Sequence, residues 1–240
     1  MIPSAYQLRD FYRSLGGRIV RRLIREKLVS LWPDTARLRV AGCGYAVPYL
    51  PHFRENSERT IGIMFRGAGV HHWPDDGANL ICLSDETELP LETNSVDRIL
   101  LIHSLEFTGF LKPAMEECWR VLKSNGRIMI VVPNRIGAWA RADWTPFGRG
   151  TPYSAAQVKD FLKENLFIPE RTEHALFIPP FKSHTLLRSA GLWEKLGASL
   201  CPAMGGVIFV EASKQIYAGK AVRPNESYRL KETAGTPEPV

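Results

Sequence analysis

The sequence predicts an α/β domain, a parallel sheet with helices on both faces, from three observations. Beyond residue 38, short apolar runs alternate with amphipathic stretches, the rhythm of strand–helix–strand units. The run RIMIVVPN, residues 127–134, is apolar at consecutive positions, as a strand covered on both faces should be. The stretch RVAGCGYA carries an apolar run into a Gly42-Cys43-Gly44 turn, the kind of corner where a parallel sheet meets a ligand.

Taken in order, LGGRIVRRLIREKLVSLWP predicts a helix that Pro33 ends. Leu15, Ile19, Leu23, Ile24, Leu28 and Leu31 fall on one face and Arg18, Arg21, Arg22 and Arg25 on the other. The helix reads either as a cover on the domain edge with a solvated basic face, or as a lid or membrane-surface element. Strands follow at LRVAG, RTIGIMF, ANLICLS and VDRILLIHSL, with a short helix, PYLPHFRE, after the glycine turn. PAMEECWRVLKSNG predicts a helix capped at its end by Asn125-Gly126, and RIMIVVPN is the fifth strand. SAAQVKDFLKEN predicts a helix with Ser154 as its N-cap. RTEHALFIP and GGVIFVEASKQ read as the last strands, separated by a helical HTLLRSAGLWEKLGA. The expected division is an N-terminal helical segment at 1–33, a main domain at 34–218 and an aperiodic, disordered tail at 219–240.

Hydrophobic content of 45% and charged content of 23% describe an ordinary globular chain. The net charge of +6 is concentrated: residues 1–40 hold nine Lys/Arg against three Asp/Glu, and the remainder holds 22 of each. A neutral main domain argues against a nucleic-acid groove, while the N-terminal segment suits a phosphate-bearing or membrane partner. Cys43, Cys82, Cys118 and Cys201 form no Cys-x-x-Cys pair, and no apolar run reaches membrane-spanning length. The opening MIPSAYQLRD lacks a signal-peptide layout, so a cytoplasmic location is expected.

Ligands of such sheets sit at the carboxyl ends of strands, which directs attention there. A dinucleotide fingerprint needs a third glycine where Val47 stands, which disfavours a nicotinamide cofactor, although Arg66 would suit a ribose phosphate. Asp85, in SDETE after the third strand, is either a ligand-facing carboxylate or a cap. His103 closes the fourth strand and is a candidate general base; the alternative is a ring that packs under Glu106. HHWPDD, residues 71–76, offers no ligand set for a metal and reads as a surface turn. The connection at 134–153 carries Trp139, Trp144, Phe147 and Tyr153 among Arg135, Arg141 and Arg149. Connections that long are commonly functional. This one reads as a binding lid or as a packed cover, with Trp144, Arg149 and Tyr153 as candidate substrate contacts.

The second half of the domain resembles the class I S-adenosylmethionine-dependent methyltransferases, in particular their type 11 group. The matching residues are Asp85, Leu89-Pro90-Leu91, Val96-Asp97, Glu117 and Arg120-Val121-Leu122-Lys123-Ser124-Asn125-Gly126. The resemblance implies a seven-stranded Rossmann-like sheet of order 3-2-1-4-5-7-6 with the seventh strand antiparallel. It also implies S-adenosylmethionine as cofactor, lined by Gly42, Cys43, Gly44, Met64, Asp85, Glu86 and His103. Two departures stand out. Where the group has an acidic residue before the glycines this chain has Val40, and where a carboxylate takes the ribose hydroxyls it has Met64. The expected function is methyl transfer to an acceptor with an apolar body and an anionic group; the alternative is a catalytically inactive binding or regulatory protein on the same fold.

Overall fold

The computed structural model describes residues 2–181 and 189–216. The tail expected at 219–240 and the start of the HTLLRSAGLWEKLGA stretch lie outside the described residues. Two helices open the chain, α1 (Ala5–Arg13) and α2 (Leu15–Leu31). Then come β1 (Arg39–Gly44), α3 (Leu50–Asn56), β2 (Arg59–Phe65), β3 (Ile81–Ser84) and β4 (Val96–Ile102). They are followed by α4 (Leu111–Val121), β5 (Leu122–Pro133), α5 (Ala155–Glu164), β6 (Phe167–Ala175), α6 (Ala190–Leu200) and β7 (Val207–Lys214). The sheet has the expected order, β3-β2-β1-β4-β5-β7-β6, with β7 antiparallel to both neighbours.

Ser4 starts α1 and Ser154 starts α5 with a capping box each: the serine hydroxyl accepts from the amide three residues on, and a glutamine there accepts from the serine amide. The apolar stripe of α2 is used as its spacing predicts. Val20, Leu23, Ile24, Leu28 and Leu31 enter the core on one side of the sheet, and Arg18, Arg21, Arg22 and Arg25 stay exposed. Ala5, Leu8 and Tyr12 of α1 join the same core. Residues 5–31 therefore pack as part of the domain rather than beside it, and the apolar face of α2 is occupied by the protein itself.

Two expectations need correction. α4 ends at Val121, not at Asn125-Gly126: Leu122 is fully buried and paired with Val96, so the chain is already extended there. Lys123 points the other way and reaches both carboxylate oxygens of Asp97 at 2.8 and 2.9 Å. β6 begins at Phe167, four residues ahead of RTEHALFIP, because Phe167 is a core residue pairing with Lys214.

Candidate functional site

The carboxyl ends of β1, β2, β3 and β4 converge on a cavity of about 260 Å³. Gly44 comes from β1, Phe65 and Arg66 from the end of β2, Asp85 and Glu86 from the turn after β3, and His103 and Ser104 from the end of β4. Ile2, ahead of α1, closes one side, and α1 is tied down by a hydrogen bond from Ala5 N to Ala68 O at 2.7 Å. Of the residues expected to line a cofactor, the structure brings Gly44, Asp85, Glu86 and His103 together here. Gly42, Cys43 and Met64 do not line it. Cys43 and Met64 are core residues on opposite sides of the sheet, and burial pushes the Cys43 thiol well above its ordinary range. Gly42 is explained by packing, since a Cβ there would lie 2.5 Å from Leu50 Cδ2.

Asp85 is a turn carboxylate and not a helix cap: Oδ1 accepts from Thr87 N at 3.1 Å and from Thr87 Oγ1 at 2.8 Å. Those two bonds, the backbone one first, hold its pKa below the ordinary carboxylate range, with a smaller contribution from Arg66. The carboxylate is thus ionised and held at the cavity rim. Glu86 accepts from the Thr108 hydroxyl, which fixes the other side of the same rim.

His103 adopts a left-handed backbone, φ 50°, at a strand end where bulky residues rarely do so. Its ring is buried between two partners. Nδ1 lies 3.2 Å from Glu106 Oε1 and Nε2 lies 2.7 Å from the Tyr12 hydroxyl, which in turn accepts from the Tyr49 hydroxyl at 3.0 Å. With the ring proton on Nδ1, each donor meets an acceptor: Tyr49 to Tyr12, Tyr12 to Nε2, Nδ1–H to Glu106. Glu106 Oε2 also accepts from Ser104 N at 3.1 Å. Burial raises the pKa values of Tyr12 and Tyr49, so both phenols stay protonated and the chain of bonds persists. The side chain of His103 is fully buried, so its ring packs on Glu106 as the alternative reading expects, and the residue meets the cavity through its backbone.

The connection at 134–153 divides its aromatics. Trp139 and Phe147 are buried, Trp139 donating to Ile178 O at 2.6 Å and Phe147 lying tilted against His103 with ring centres 4.9 Å apart. Trp144 and Arg149 line a second, larger groove of about 570 Å³ with Gln7, Asp10 and Phe11 of α1. Tyr153 is elsewhere: half buried with the core on the other side of the sheet, its hydroxyl donates to Leu105 O. The rings of Phe11 and Phe147, centres 6.2 Å apart, stand between the groove and His103.

Residues 40–130 match the family model of the methyltransferase domain. Together with the strand order, that decides the architecture. The chain has the class I methyltransferase fold. Among solved structures it is similar to an S-adenosylmethionine-dependent methyltransferase from Thermotoga maritima, with 16% identity and TM-score 0.57 over 86% of this chain and 94% of that one. A second, from Archaeoglobus fulgidus, has 18% identity and TM-score 0.59 over 81% and 94% of the two chains. A [4+2]-cyclase, SpnF, is comparably similar at 18% identity and TM-score 0.56 over 85% and 84%. At such identities the likeness carries the fold alone, and this fold carries more than one chemistry. No curated protein sequence matches the chain.

Within this fold, the residues that carried the resemblance in the sequence are clasps. Glu117 accepts from Leu89 N at 2.9 Å and holds Arg120, which donates to Leu89 O and Leu91 O at 3.0 and 2.9 Å. The clasp pins the connection after β3, and with it Asp85 and Glu86, onto α4. Asp97 accepts from Arg39 N at 2.9 Å and pairs with Lys123, tying β1, β4 and β5 at the sheet end remote from the cavity. The departures are just as concrete: Val40 and Met64 are each 1% exposed and sit in the same apolar core. Sequence reasoning missed Tyr45 and Tyr49, whereas it placed Glu106 against the His103 ring. The pair of tyrosines beside the glycine turn was the available signal, and in the fold both rings pack on Tyr12.

Proposed function

We propose that the protein is an S-adenosylmethionine-dependent methyltransferase whose cofactor occupies the strand-end cavity. The observation that carries this is the set of groups gathered there from four successive strands of a methyltransferase fold. They include an ionised Asp85, a fixed Glu86 and the apolar Phe65 and Ile2, which fit a nucleoside with an exocyclic amine. When bound, the cofactor supplies an electrophilic methyl group. The chain's part is to accept from the adenine amine at Asp85, to wall the site with α1 and to align rather than activate, since a sulfonium is already a good leaving group. His103 stands at the cavity wall with Nε2 engaged by Tyr12, so any role as base requires Tyr12 to release it.

The acceptor is taken to lie in the groove of Trp144 and Arg149, which pairs an aromatic surface with a cation and so suits an apolar body bearing an anionic group. With all four cysteines unpaired, the protein is taken to work in the reducing cytoplasm.

Calorimetric titration with S-adenosylmethionine, S-adenosylhomocysteine and NADPH tests the cofactor. The first two should bind and NADPH should not; silence from both sulfur compounds at about 1 mM, the weak end of measurable affinity, overturns the reading. Asp85→Ala should weaken S-adenosylmethionine at least about tenfold, the loss of one hydrogen bond to a charged group. Its melting temperature without ligand should change little; the reverse pattern reduces Asp85 to a turn former. Combining Trp144→Ala with Arg149→Ala should abolish methyl transfer to any acceptor found while cofactor affinity stays within a few-fold. Full activity in that variant would make the groove irrelevant.

A second reading is favoured by Val40 and Met64, which leave the cofactor's ammonium and ribose hydroxyls without the usual carboxylates. On that reading the cavity binds a nucleoside-like ligand without methyl transfer. Cofactor binding with no transfer to any of a broad acceptor panel would select it.

A further inference from the structure

We propose that the cleft between α1, α2 and α3 is an anion site that takes the head of a phosphate monoester, independently of the methyltransferase reading. Two adjoining cavities of about 170 and 230 Å³ lie there, and both are lined by Arg21, Pro48 and Pro51. The first also receives Arg9 and Arg13 from α1, over walls of Tyr45 and Trp73. The second receives Arg25 from α2 and His52 from α3. Three guanidinium groups thus line the first cavity and two the second, with Arg21 shared between them, which concentrates the excess positive charge of residues 1–40.

Their pairing within the protein is thin. Among the described residues Arg21 and Arg25 make no ion pair, whereas Arg22, beside them in sequence, is 3.8 Å from Glu26. Arg13 reaches Asp75 only at 3.9 Å, with both side chains mostly exposed, a contact of little strength. Arg9 lies 3.6 Å from Asp10, yet its Nε is shielded from solvent and has no hydrogen-bond partner. Asp75 and Glu55 are the carboxylates that face the two cavities. Like charges held together in a concave, partly apolar setting favour an anion, and the guanidinium fork matches phosphate oxygens two at a time. A phosphate dianion offers enough acceptors for several guanidinium groups at once, which a single carboxylate does not. Tyr12 lines the first cavity and its hydroxyl reaches His103, so an occupant here is linked through these two residues to the wall of the strand-end cavity.

A soluble phosphorylated metabolite and a phospholipid headgroup share this chemistry, and the experiment separates them. The full chain is titrated calorimetrically with inorganic phosphate and glycerol 3-phosphate, and sedimented with vesicles of phosphatidylcholine with and without phosphatidic acid. Two double variants remove the same charge from exposed positions of α2: R21A/R25A inside the cleft, and R18A/R22A outside it. We expect binding to at least one probe class, weakened at least about tenfold in R21A/R25A and within about twofold of the parent in R18A/R22A. Binding of the soluble probes assigns a metabolite, and binding of the phosphatidic acid vesicles alone assigns a headgroup. The proposal is overturned if neither class binds, or if both double variants lose affinity equally, which would mean a diffuse basic face with no site.

Discussion

Gly44→Ala is expected to destabilise the protein by about 3 kcal/mol or more, the upper range for a residue forced into a sparsely populated backbone region. Gly44 sits at φ 79°, where an L side chain is strained by its own chain. Space is closed as well: a Cβ would stand 2.5 Å from Ile102 O and 2.9 Å from Ser104 Cβ. Ile102 O cannot simply retreat, because it accepts from Tyr45 N at 2.8 Å and Ile102 is the last residue of the β1–β4 pairing. Any relaxation therefore opens the corner where the strand-end cavity begins, and ligand binding should fall along with stability. Urea unfolding measures the first effect. Gly16→Ala is the control: it lies in α2 with nothing within 4 Å of its added Cβ, so alanine there should be neutral or stabilising by up to about 1 kcal/mol. A Gly44→Ala protein as stable as its parent would contradict the geometry of this corner.

Glu106→Ala should cost about 2–4 kcal/mol by urea unfolding. The carboxylate serves two buried donors, Ser104 N and His103 Nδ1, and its removal strands both where water does not reach. Each stranded buried donor costs about 1–3 kcal/mol. Glu106→Gln keeps the shape and one acceptor oxygen, so its loss should be clearly smaller. The two variants also differ in a readout that packing alone does not move. Nitrogen chemical shifts of the His103 ring should report a proton fixed on Nδ1 in the parent and a mixture of tautomers in Glu106→Ala. If Glu106→Ala unfolds within about half a kcal/mol of the parent, the network is ornamental to the fold and the strained backbone of His103 needs another cause.

By itself the sequence determined the sheet. Apolar runs such as RTIGIMF and GGVIFVEASKQ coincide with β2 and β7 because their burial is encoded locally, residue by residue. The LPL, ExxR and VD-to-K patterns pointed to the fold because they are the two ends of clasps within residues 89–123: Glu117 and Arg120 hold Leu89 and Leu91, and Lys123 holds Asp97. The end of α4 was not readable, since Asn125-Gly126 is good cap chemistry, and only the pairing of Leu122 with Val96 overrides it.

Gly44, Asp85, Glu86 and His103 could be named from the sequence, and tertiary structure decided the rest of the site. In the connection at 134–153 composition could not tell core from surface, and packing sent Trp139 and Phe147 inward while Trp144 and Arg149 line a groove. Met64 lies one residue short of the end of β2 and is buried in the core, while Phe65, the last residue of the strand, and Arg66 beyond it line the ligand space at the strand end. The environment of His103 depends on Tyr12, 91 residues away, and the arginine cleft depends on how α1 and α2 fold back against α3. Contacts between distant residues are set by how packed elements meet, and no local period in the chain records that.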